Sequence, residues 1–180
     1  MRRLVFIGGI HGVGKTHFCN HISQNYNIPH YSASELIRKK KKDNSSTIKY
    51  VKQVESNQNY LVMALSELEV DLHIMLDGHF CLLTSEGQIS RIPEIIFREI
   101  SPSALLVLKD SVSEIHKRLM DRDGRHYDMQ LLNDLQVQEI EYSRGLCKAL
   151  GVPLLELEFP FDIPQAYQFI SKYIESNGGV

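Results

Sequence analysis

Residues 4–16 read Leu4-Val5-Phe6-Ile7-Gly8-Gly9-Ile10-His11-Gly12-Val13-Gly14-Lys15-Thr16, an apolar run that passes directly into the pattern G-x-x-x-x-G-K-[ST]. Four consecutive large apolar side chains suit a strand buried on both faces, and the glycines behind them suit a tight turn into a helix. A loop that wraps an anion must turn its backbone N–H groups inward, and Gly9, Gly12 and Gly14 permit the positive φ angles this needs. Lys15 then reaches phosphate oxygens and Thr16 offers a hydroxyl to Mg²⁺, while a helix starting here points its positive end at the same anion. The stretch predicts a nucleoside-triphosphate site with Gly9, His11, Gly12, Val13, Gly14, Lys15, Thr16 and His17 as its binding residues.

Further along the chain, short apolar runs recur at Leu4–Ile7, His30–Tyr31, His73–Leu76, Ala104–Leu108 and Pro153–Leu157, with helix-like segments between them. That alternation predicts an α/β fold: a three-layer P-loop domain whose five-stranded parallel sheet carries helices on both faces and takes its ligand at the carboxyl ends of the strands. Helices are expected over Lys15–Tyr26, over Ser113–Asp121 behind a Ser111 cap, over Met129–Leu150 until Gly151 and Pro153 stop it, and over Asp162–Ser176.

The 180 residues, 43% hydrophobic and 23% charged, are expected to form one domain over residues 1–180. A formal net charge of -2 sets up no global positive field for nucleic acid, so small-molecule nucleotides are the favoured partners. No apolar run approaches the roughly 20 residues of a membrane span. Met1-Arg2-Arg3 meets the first strand at once and leaves no room for a cleavable signal peptide. Cys19, Cys81 and Cys147 lack metal-ligand spacing and are expected to be reduced thiols in a cytoplasmic protein.

Phosphate chemistry needs more than the loop. Ile74-Met75-Leu76-Asp77 is an apolar run ending in a carboxylate, placed to orient Mg²⁺ beside Thr16. Gly78 allows a close turn, and His79 is either a ligand-facing donor or a hydrogen-bonded core histidine. Arg118, Arg122 and Arg125 stand at i, i+4 and i+7, a spacing that gathers planar cations on one side of a helix end, and Gly124 suits a mobile lid. The run Arg38–Ser46 reads either as a solvated helix end, its cations opposing the helix dipole, or as a phosphate or nucleic-acid contact.

These pieces resemble the nucleoside monophosphate kinases, and among them the archaeal-type adenylate kinases and related small kinases. The resemblance is carried by Gly9–Thr16, Tyr31–Arg38, Leu76–Phe80, Pro102–Lys109 and Arg118–Asp128, in family order along about two thirds of the chain. It implies an acceptor-binding helical part at about 32–70 and a lid at about 118–128. It makes Arg38 a ligand of the acceptor phosphate, with Asp77 and His79 on the substrate side and Thr16 and Asp77 as metal ligands. It sets Arg118 along the adenine of ATP, gives Lys15, Arg122 and Arg125 the transferring phosphoryl group, and puts base reading near Asn57-Gln58 in the helical stretch Thr47–Val70. Two departures stand out: no Arg follows Asp77-Gly78-His79 until Arg91, and the stretch Ser85–Pro93 retains one Gly and one Pro of the pattern expected there.

The expected activity is Mg²⁺-dependent transfer of the ATP γ-phosphoryl group to a nucleoside monophosphate. Two alternatives stay open. One is transfer to a hydroxyl of a nucleoside, metabolite or polynucleotide end, with Asp77 or Glu35 as base and the Lys39–Lys42 run on a nucleic-acid backbone. The other is an ATP-binding switch or ATPase.

Overall fold

A computed structural model of the chain describes residues 3–43, 53–69, 72–84, 86–124 and 126–174. The central strand β1 (Leu4–Gly8) is buried along its whole length, as the four apolar residues require. It lies between β3 (Ile74–Asp77) and β6 (Ala104–Lys109), with β2 (His30–Ser32) beyond β3 and β7 (Leu154–Glu158) beyond β6. Every neighbouring pair in this sheet is parallel, and Ile7 stands in register with Asp77 and with Leu106. The chain thus leaves β1 at the point where strand order reverses, the place where open α/β sheets form a crevice. All five runs read from the sequence are strands of this sheet.

Helices cover both faces, which explains near-continuous apolar strands in place of alternation. Helix α1 (Lys15–Tyr26) buries Phe18, Cys19 and Ile22 and packs beside α7 (Ile163–Ile174), with Tyr26 and Tyr167 stacked at 3.7 Å between ring centroids. Phe6 points the other way, into a cluster with Phe80 and with Phe97 of α4 (Glu94–Ile100). Helix α5 (Val112–Asp123) is capped by Ser111, whose hydroxyl accepts from the Glu114 amide, and it begins one residue before and ends two residues beyond the expected Ser113–Asp121. Helix α6 (Met129–Leu150) has the expected bounds because Asp128 accepts from the Gln130 and Leu131 amides and Gly151 ends it at φ 67°. Helices α2 (Ala33–Asp43) and α3 (Gln53–Ser66) pack on each other beside the sheet. Residues 44–52 and 70 of the stretches read above lie outside the described residues, as do Glu175 and Ser176.

One element was not expected. After Gly78-His79 the chain forms an antiparallel hairpin, β4 (Cys81–Leu83) with β5 (Ile89–Arg91), closed where the Gly87 amide donates to the Thr84 carbonyl and Gly87 takes φ 76°. Three-residue strands show too little alternation to be read from a sequence.

Candidate active site

The loop behind β1 has the backbone that its glycines allow: Gly9, Gly12 and Gly14 take φ of 144°, 81° and 105°. At Gly12 a Cβ would also stand 2.8 Å from Leu119, so α5 presses against the loop from outside. The loop opens on a cavity of about 870 Å³ that runs from α1 to the space between α2, α3 and α4. His11, Gly12, Gly14, Lys15, Thr16 and His17 line its loop end, as do Asp77, His79, Arg118 and Arg122. Gly9 and Val13 are buried beneath the loop and do not line it. Arg125 lies outside the described residues.

Lys15 is buried, and its Nζ donates to the Gly9 carbonyl at 2.6 Å and the Ile10 carbonyl at 3.1 Å. Burial pulls its pKa down, opposed by Glu139 and Asp77. Glu139 is a residue that the sequence reading missed. It is 1% exposed, its Oε2 accepts from the Phe80 amide at 2.7 Å, and Oε1 lies 3.3 Å from His79 Nδ1. Burial pushes its carboxyl up, and Lys15 with the Phe80 and Cys81 amides holds it back. The signal was present: in α6, Leu132, Leu135, Glu139, Ser143 and Leu146 form one buried stripe, and an acidic residue in an apolar stripe needs partners.

His11 and His79 face each other with ring centroids 4.2 Å apart. Desolvation within the cleft, then the other imidazole and Lys15, lowers the pKa of His11 to about 3 although the residue is exposed at the loop, and burial followed by Lys15 does the same for half-buried His79. Both rings are neutral at physiological pH, and His79 is both cavity-facing and hydrogen-bonded. Asp77 closes the floor, its Oδ2 2.6 Å from His30 Nε2.

Arg118 bridges the loop and α5. It pairs with buried Asp110, donates to the Val13 carbonyl at 3.4 Å, and sits 5.7 Å from the centre of the Phe159 ring. Asp110 is itself fixed by reciprocal hydrogen bonds between its backbone and the Gln136 amide group. Arg122 lines the cavity but forks onto its neighbour Asp123, at 2.7 and 2.8 Å.

The far end of the cavity differs in kind. Arg38, Lys41 and Lys42 stand along it on α2, so the cation run faces the cleft in part. Arg38 is exposed and reaches Glu35 only at 3.9 Å; Glu35 does not line the cavity. The walls are Ile37, Leu61, Ile96, Phe97 and Ile100, and set among them are Asn57 and Gln58 of α3. Asn57 Oδ1 and Gln58 Nε2 are buried without a hydrogen-bond partner among the described residues. Arg91 points elsewhere, donating to Gln138 at 2.8 Å and lying over the Tyr142 ring.

A family profile described as an AAA domain matches residues 8–136, more than half of the chain. The chain belongs to this AAA-domain family. The match takes in the loop, Arg38, Asn57, Gln58, Asp77 and the lid segment, and stops three residues short of Glu139. No curated protein matches the sequence. Among solved structures, this AAA-domain chain is similar to a gluconokinase from Sinorhizobium meliloti 1021, with a TM-score of 0.56 at 15% identity over 96% of this chain and 91% of that one. It is also similar to an uncharacterized protein from Eubacterium ventriosum ATCC 27560, with a TM-score of 0.50 at 18% identity over 97% and 99%. Likeness at such identities speaks for the α/β P-loop architecture, and function resides in the site. Among the described residues, no helix is long and apolar enough to cross a membrane.

Proposed function

We propose that this chain is a phosphotransferase that moves the γ-phosphoryl group of ATP to a nucleoside monophosphate. The observation that carries the acceptor is a pair of buried amide atoms without a hydrogen-bond partner among the described residues, Asn57 Oδ1 and Gln58 Nε2, in the cavity that the phosphate loop opens on. Leaving a buried polar atom unpaired costs about 1–3 kcal/mol, which a ligand edge with one donor and one acceptor recovers. A heterocyclic base has such an edge and apolar faces for Leu61 and Phe97. A polyol would set hydroxyls against Ile96, Phe97 and Ile100 and leave them unsatisfied. Arg38, Lys41 and Lys42 supply cations for the acceptor phosphate.

On the donor side, the loop amides cradle phosphate oxygens, and Lys15 exchanges its two carbonyl acceptors for them. Thr16 and Asp77 are the residues fit to hold Mg²⁺, a hard cation that takes hydroxyl and carboxylate oxygens and neutralises the triphosphate when bound. Arg118 serves the adenine, while Arg125 and Arg122, the latter on leaving Asp123, serve the transferring group. The neutral rings of His11 and His79 offer hydrogen bonds without adding charge. The bond between the γ-phosphorus and the bridging oxygen breaks while one forms to an acceptor phosphate oxygen, already an anion, so no general base is required. ADP and a nucleoside diphosphate leave.

A second reading, transfer to a hydroxyl, is favoured by the Asp77–His30 contact, since a carboxylate backed by an imidazole can take a hydroxyl proton. Labelled ATP with a panel of nucleoside monophosphates, nucleosides and sugar acids separates the two. Diphosphate product from any monophosphate supports the first. Label in a hydroxyl acceptor and none in a diphosphate replaces it with the second.

A further inference from the structure

Cys19, His30 and Asp77 come from three separate elements, α1, β2 and the end of β3, and one ligand atom of each lies within 4.8 Å of the other two. Helix α1 packs across β2 and β3, and this brings the thiol under the His30–Asp77 pair. Such a donor set, one sulfur, one imidazole nitrogen and one carboxylate oxygen, is poorly suited to Mg²⁺, which takes oxygen ligands in near-octahedral order. It is the set that a borderline-soft, tetrahedral ion accepts.

We propose that Cys19, His30 and Asp77 form a three-ligand binding site for zinc or a chemically similar divalent transition metal, reached through the cleft by way of Asp77. Three protein ligands leave a fourth position for water on the cavity side, where Asp77 lines the cleft. Around an ion with metal–ligand bonds of about 2.0–2.3 Å, tetrahedral donors stand about 3.3–3.7 Å apart. The His30–Asp77 contact of 2.6 Å opens and the thiol closes in, shifts that side-chain torsions supply. A metal-bound cysteine is a thiolate, so binding displaces the Cys19 proton to solvent. Cys81 and Cys147 have no comparable partners among the described residues.

The consequence rests on the kinase reading: an ion held here occupies Asp77, the carboxylate assigned to Mg²⁺, and shuts off transfer without touching the ATP loop. The site is tested separately from that reading, by spectroscopy. Full-length protein titrated with Co²⁺ under excess Mg²⁺ is expected to develop a near-ultraviolet thiolate-to-cobalt charge-transfer band that saturates at one ion per chain. Cys19→Ser abolishes the band, Cys81→Ser and Cys147→Ser keep it, and His30→Gln weakens Zn²⁺ competition at least about tenfold. Circular dichroism establishes that each variant is folded, and Cys19→Ala replaces Cys19→Ser should the serine variant not fold. No band in the folded wild-type chain, or a band that survives loss of Cys19, overturns the site. In the phosphotransfer assay, Cys19→Ser keeps its Mg²⁺-dependent rate and resists Zn²⁺. A Cys19 variant still inhibited at wild-type Zn²⁺ concentrations overturns the inhibitory consequence, while the cobalt band decides the site itself.

Discussion

The two ends of the cavity are built on opposite plans. The donor end is backbone: three positive-φ glycines, a helix start and one buried lysine, all within eight consecutive residues. The acceptor end is side chain: cations on α2, two amides on α3, apolar walls from α4, gathered from segments far apart in the chain. The difference teaches that a charge common to every triphosphate can be met by a fixed local geometry, whereas selection among acceptors needs groups brought together by packing.

The sharpest way to break this contrast is Lys15→Ala. It should cut phosphotransfer about 10²–10³-fold with an unchanged circular dichroism spectrum, since the lysine acts on charge and the core lies elsewhere. Near-normal ATP affinity by titration calorimetry would sink the donor end. Arg38→Ala tests the other end. Loss of a charge-assisted hydrogen bond worth about 1.5–3 kcal/mol should raise KM for the monophosphate about 10–100-fold and leave KM for ATP within about twofold. A parallel rise in both constants would erase the division.

Gln58→Leu carries a smaller, two-signed effect. Removing an orphaned buried donor should stabilise the free protein by about 1 kcal/mol in denaturant titration, while acceptor discrimination falls about tenfold. A destabilised variant with selectivity intact would show that Gln58 is structural.

The smallest effect concerns pH. His79 is held near 3 in the folded chain against an ordinary 6.5, so the unfolded chain takes up a proton that the folded one refuses. Its contribution is complete above about pH 6.5 and is lost as pH falls toward 3. His79→Gln should therefore lose less melting temperature between pH 7 and pH 4 than the parent does. Equal losses would contradict the buried neutral imidazole.

Much of the donor half was legible because its signals are local. The apolar run, the glycine spacing, the Ser111 cap and the Gly151 stop each act within a few residues, and the strands and helices they predict are found. The β4–β5 hairpin was not legible, since its strands are short and its closure depends on Gly87 and on a docked α6. Glu139 went unread although it stands in the apolar stripe of α6, because its partners Phe80 and His79 are fixed only when α6 docks.

What the amino-acid order determined by itself is the phosphate loop and the α/β alternation, because backbone φ preferences and hydrophobic periodicity are short-range properties. Only the tertiary structure decided that His11 would lie against His79, that Lys15 would share a buried site with Glu139, and that Cys19 would meet His30 and Asp77. Those pairings are set by how helices cross the sheet, and a few ångströms of packing turn separate residues into one electrostatic unit.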